Sequence, residues 1–195
     1  MTPEIRAFEY AMGVFSVLIG LAIADIAASA HRLLRHKSQV RWDPLAVLAA
    51  LYALCMAVYM WFDLWGVRNF TATRHFLFYL VLFGQLFVLF LVAASSLPDE
   101  ADPSTDLREF YSANRRSFWF LVALFQLAYV GVGFYFIGGE PPLPGWIMAI
   151  LVSQMIAPLV ICLILLATKS RAMHYIGIGL LFAVMLFHYW QASIN

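Results

Sequence analysis

Six runs of this chain, at 10–30, 44–65, 76–97, 118–137, 145–167 and 173–190, are apolar for about as long as a helix needs to cross a bilayer. Hydrocarbon about 30 Å thick takes about 20 predominantly apolar residues. The runs use up most of the 195 residues, so no stretch is left for a soluble domain with its own core. Charged residues make up 12% of the chain, against about 25% in a soluble domain. Mean hydropathy is +0.83.

A lipid-exposed backbone must satisfy its own hydrogen bonds. The runs are too long for barrel strands and do not alternate polar with apolar residues, so they predict helices. The expected fold is all-α, a polytopic bundle of six transmembrane helices forming one domain over 1–195. Short connections such as 138–144 make successive spans antiparallel. No clear internal repeat is present. A signal peptide is rejected, although Ala28-Ser29-Ala30 mimics a cleavage site. The region before the first run has one Arg against two Glu, and Asp25 interrupts the apolar run.

Basic residues favour the cytoplasmic side of short loops. The loop after the first span carries Arg32, Arg35, Lys37 and Arg41; that after the third carries Arg108, Arg115 and Arg116; that after the fifth carries Lys169 and Arg171. These are nine of the twelve basic residues, and the opposite side has Arg6, Arg68 and Arg74. The expectation is a bacterial inner-membrane protein with both termini periplasmic or extracellular. Tryptophan prefers the headgroup level; Trp42 and Trp119 are read as marking the inner surface, and Trp61, Trp65, Trp146 and Trp190 the outer one.

The sizeable segment outside the spans is 98–116. Asp106 is a helix N-cap with Glu109 as its capping partner. Leu107, Phe110, Tyr111 and Asn114 then share a face. The expected form is an amphipathic helix on the cytoplasmic membrane surface, continuous with or kinked into the fourth span. A cytoplasmic protein partner docking there is the alternative.

Two stretches resemble a group of small bacterial membrane proteins. One is Asp106-Leu107-Arg108-Glu109-Phe110-Tyr111 with Asn114-Arg115-Arg116-Ser117-Phe118-Trp119-Phe120. The other is Gly20-Leu21-Ala22-Ile23-Ala24-Asp25 with His31-Arg32-Leu33-Leu34-Arg35 and Val40-Arg41-Trp42. The resemblance implies a six-helix inner-membrane protein and transfers no activity and no functional residue.

Polar groups inside the spans carry the functional expectations. Asp25 lies six residues before His31, roughly 9 Å inside the expected helix end at 1.5 Å per residue. A carboxylate at such depth faces a bundle interior or a wet path. Asp25, Ser29 and Arg32 share a stripe, either as an ion pair of Asp25 with Arg32 or as a proton or cation relay. Gly13, Ser16, Gly20, Ala24 and Ala27 form a second stripe of small residues suited to close helix packing. Two stripes that avoid lipid predict a central first span. Gln85, Gln126, Ser153 and Gln154 are mid-span hydrogen-bonding groups. Pro158 removes a backbone donor and predicts a kink beside Ser153 and Gln154.

Four histidines, His31 and His174 toward one surface and His75 and His188 toward the other, have the layout a bis-histidine haem b protein would need. Glu9, Asp63, His75 and His188 form a second, metal-site alternative at the outer face. The leading expectation is no cofactor. Cys55 and Cys162 lie inside spans and read as free buried thiols. Net charge is +1, which gives no basic field for nucleic acid. No hydrolase, zinc-protease or phosphate-loop motif is present.

The expected activity is therefore not enzymatic. A small ion, proton or solute channel or secondary transporter comes first, embedded in lipid and homo-oligomeric. Asp25 is expected beside its permeation or coupling path. A membrane scaffold or sensor subunit docking a partner through 98–116 is the second reading, and a haem-binding electron carrier the third.

Overall fold

The computed structural model describes residues 3–66, 76–100, 105–139 and 144–192. These residues form six helices: α1 (Pro3–Arg35), α2 (Pro44–Gly66), α3 (Phe76–Ala94), α4 (Leu107–Gly139), α5 (Gly145–Ala167) and α6 (Arg171–Ala192). All six are long and apolar enough to cross a membrane. The protein is an all-α, multi-pass integral membrane protein.

Local chemistry sets the helix starts. Pro44, with its fixed φ and no N–H to strand, opens α2. The carbonyl of Asp43 accepts the first turn's N–H from Val47 at 3.2 Å. α4 begins at Leu107, well before the expected 118, because the Asp106 carboxylate caps it. Asp106 Oδ1 accepts from the N–H groups of Arg108 at 2.8 Å and Glu109 at 3.2 Å. The amphipathic lead-in and the fourth span are thus one helix of 33 residues. At 1.5 Å per residue that is about 50 Å.

The apolar face of the lead-in packs on the rest of the chain. Leu107 and Tyr111 are buried in the chain's own core, and Asn114 donates to the carbonyl of Ser95 at 2.8 Å.

A second correction concerns the centre of the bundle. α1 packs on α3 and α2, whereas α2 packs on α1, α3, α4 and α6. Half of the α2 apolar window is buried, against 22% for α1 and 11% for α5. The reason is a row of small residues on α2. Ala46, Ala49, Ala50, Ala53 and Ala57 are all buried, and their short side chains let neighbouring backbones approach. The α1 stripe points elsewhere: Gly13, Gly20, Ala24 and Ala27 are exposed. A Cβ added at Gly13 or Gly20 would meet nothing within 4 Å. Ser16 bonds its own helix, donating to the Met12 carbonyl at 2.7 Å.

The close approaches lie at Gly133 and Gly177. A Cβ at Gly177 would come within 2.6 Å of Leu165, and one at Gly133 would overlap the end of the Met155 side chain.

The three basic loops gather at one end of the bundle. Arg41 N–H donates to Thr105, and Leu107 N–H donates back to Arg41, each at 3.0 Å. Arg171 ties α6 to Asp43, and Arg115 donates to the Thr168 carbonyl. Trp119 is not an interfacial ring; it is fully buried, with Nε1 donating to the Tyr111 hydroxyl at 3.1 Å. Trp42, Trp61 and Trp146 are exposed. The side chains of Trp65 and Trp190 lie outside the described ones.

Candidate functional site: a cavity among five helices

α2, α3, α4, α5 and α6 enclose a cavity of about 320 Å³. It lies in the half of the bundle remote from the basic loops, and none of the described side chains of α1 lines it. The size and character fit a small-molecule site, which has mostly apolar walls and a few convergent polar groups.

On α2 the spacing of Tyr52, Met56, Tyr59 and Asp63 places one stripe on the cavity wall. On α4, Gln126, Tyr129 and Gly133 do the same. The Tyr129 hydroxyl lies beside the Asp63 carboxyl. Tyr59 and Tyr129 hydroxyls are 2.9 Å apart. Either hydroxyl can donate in that contact. His188 of α6 is near enough to act on Asp63 through its charge. Its Nδ1 lies 3.3 Å from Gln154 Oε1 of α5, an oxygen that can only accept. The ring meets Tyr59 edge-on, with centroids 5.4 Å apart.

Deeper in the bundle, Gln126 Nε2 donates to the Tyr52 hydroxyl at 3.3 Å. Tyr52 packs on Trp119 and edge-on against Phe182. Gln85 of α3 is 2% exposed, lines the cavity, and neither Nε2 nor Oε1 of its amide has a partner. Pro158 also lines the cavity from α5, which stays helical through it. Its ring nitrogen carries no N–H for the helix ladder.

The residues singled out from the sequence therefore separate. Gln85, Gln126, Gln154 and Pro158 meet at the cavity. Ser153 points outward and donates to its own helix at Ile150. Asp25 is half-buried on α1, away from the cavity. The expected ion pair with Arg32 does not form: Arg32 Nη2 donates to Ser29 Oγ at 2.8 Å instead. That serine is one helical turn away, whereas Asp25 is two turns back.

Of the histidines, His31 is exposed and His75 lies outside the described residues. His174 is buried, with Nδ1 at 2.7 Å from the Tyr111 hydroxyl and Nε2 at 3.3 Å from the Thr168 carbonyl. Both ring nitrogens are thus engaged by protein. Asp63 and His188 share the cavity, while Glu9 is exposed on α1. Among the described residues no cluster of three His, Cys, Asp or Glu is placed to hold a metal ion.

The sequence reading missed Tyr52, Tyr59 and Tyr129 and placed Asp63 only at an outer surface. The signal was available: an acid at the end of a tyrosine stripe with helical spacing, inside an apolar run. No protein-family model, curated protein or solved structure matches the chain.

Proposed function

We propose that this integral membrane protein is a small secondary transporter or channel whose solute occupies the cavity around Asp63. The supporting observation is the buried Gln85 amide, with donor and acceptor both unpartnered, lining a cavity that also holds a carboxylate. A bundle that had only to hold together would fill this volume. An unsatisfied buried amide costs about 1–3 kcal/mol. Such costs are retained where a ligand completes the site.

The positive-inside rule puts the basic end in the cytoplasm. The cavity then lies in the outer half of the membrane, with Tyr52, backed by Trp119 and Phe182, on its wall. Asp63 replaces Asp25 as the charged group beside the solute. Proteoliposomes holding the full chain test this with radiolabelled small cations, neutral solutes and anions. Saturable uptake of one class is expected, lost in Asp63→Asn and kept in Asp25→Asn. Uptake unchanged by Asp63→Asn sinks the reading.

A further inference from the structure

We infer that the cavity takes a small organic monocation, an amine in protonated or quaternary form on an apolar body. This rests on the cavity being the solute site. Three features on its wall converge. The first is charge: among the described residues Asp63 is the acid that lines the cavity, and no Lys or Arg does. An anion would meet the carboxylate with only His188 beside it to offset the repulsion. A neutral solute would leave it without an opposite charge unless His188 supplied one.

The second is the aromatic surface around that carboxylate. Tyr59 and Tyr129 have ring centroids 6.2 Å apart at 57°, and Phe78 and Phe125 line the same space. A cation over such faces is attracted by the ring quadrupole, most strongly where water is excluded. Ammonium groups with methyl or ethyl substituents suit this surface, because they make no demand for the several oxygen ligands a metal ion needs. The third is the wall itself. Met56, Met60, Met155 and Met185 all face the cavity. Flexible, polarizable thioethers adapt to differently shaped apolar bodies. Gln85 adds a donor and an acceptor for a polar substituent at the far end of the molecule.

Equilibrium dialysis of the full chain in detergent, against matched empty micelles, tests the inference. The probes are phenyltrimethylammonium, its uncharged isostere tert-butylbenzene, and benzenesulfonate. Saturable binding of phenyltrimethylammonium is expected, at least about tenfold tighter than either comparator. Asp63→Asn should weaken it by about tenfold or more while leaving tert-butylbenzene binding intact, which shows that the variant is folded; Asp63→Glu should retain it. The inference is overturned by no saturable cation binding, by tert-butylbenzene binding within about twofold of the cation, by a preference for benzenesulfonate, or by unchanged cation binding in Asp63→Asn. Asp63-dependent cation binding without flux in proteoliposomes would remove the transport reading and leave the cation site standing. Asp63-dependent flux of neutral solutes alone would do the reverse.

Discussion

Arg171, the first residue of α6, donates from Nη2 to the Asp43 carboxylate at 2.5 Å across 128 residues of chain. The contact joins the loop before α6 to the start of α2, the helix that most others pack on. Asp43 is buried and its second oxygen has no partner, so the carboxylate depends on this one cation. Removing one member of a fully buried pair costs about 3–5 kcal/mol. The Arg171 side chain is 36% exposed, which screens the pair. Arg171→Met is therefore expected to cost about 2 kcal/mol, in thermal unfolding of the detergent-purified chain. The double variant Arg171→Met with Asp43→Leu should recover much of the loss, since no stranded charge remains.

Tyr111 works as a two-sided connector. The Thr168 carbonyl can only accept, so His174 Nε2 carries the proton, and in the neutral ring Nδ1 accepts the Tyr111 O–H. The same hydroxyl oxygen accepts from Trp119 Nε1. Tyr111→Phe keeps the ring and strands a buried acceptor and a buried donor together. The expected loss is about 2–3 kcal/mol, with a shifted Trp119 emission because its N–H loses its partner. An unfolding midpoint and emission spectrum equal to those of the parent would refute the connector role.

Asp106 gives the fold a dependence on acid. The backbone N–H of Glu109 holds its carboxyl below the usual range, with the N–H of Arg108 and the Arg41 side chain adding to the effect. A pKa lower in the folded state than in the unfolded one means that the unfolded chain binds the proton more readily. The contribution is complete above the ordinary carboxylate value, near 3.9. It fades as pH falls through Asp106's own lower value. Asp106→Asn keeps a capping oxygen and removes the titration. Stability profiles of parent and variant should differ at neutral pH and converge in acid; parallel profiles throughout would refute the assignment.

The six helices were legible because hydropathy is a local property of each run and needs no knowledge of neighbours. Which helix sits at the centre was not. Gly13, Gly20 and Ala24 on α1 and Ala46, Ala49, Ala53 and Ala57 on α2 both read as small-residue stripes. Spacing alone does not say which stripe meets protein and which is left facing outward. Trp119 misled for a similar reason: an indole prefers the headgroup level unless its N–H finds an internal partner, and Tyr111 is eight residues earlier on the same helix. Three of the mid-span glutamines were legible as polar outliers. The tyrosines beside Asp63 carried a signal in their helical spacing, but an ambiguous one, because tyrosine suits an interface as readily as a buried hydroxyl chain.

The two sets of glycines make opposite predictions. Gly177→Ala drives a methyl into Leu165, a fully buried side chain with no room to turn away. Overpacking of this kind costs about 1–3 kcal/mol. Gly13→Ala and Gly20→Ala meet open space within the chain, and alanine is the better helix former. Melting temperatures should fall for Gly177→Ala and hold or rise for the other two. A fall for Gly13→Ala equal to that for Gly177→Ala would contradict the packing described here.

Gln85→Met separates a site from a packing defect. Methionine nearly conserves volume and removes both unpartnered amide atoms from a residue that is 2% exposed. In the ligand-free protein the change should stabilise by about 1–2 kcal/mol, the cost of an amide buried without a bond. Stabilisation by a ligand follows its occupancy of the folded state. Phenyltrimethylammonium should still raise the variant's melting temperature through Asp63, because the amide addresses the other end of the molecule. A solute carrying a hydroxyl or carbonyl remote from its ammonium should lose most of its advantage over phenyltrimethylammonium. Higher basal stability with weaker recognition of the polar solute is the trade-off expected where a binding group is kept at the expense of the fold. An unchanged ranking of the two solutes would mean that Gln85 faces the cavity without touching what enters it.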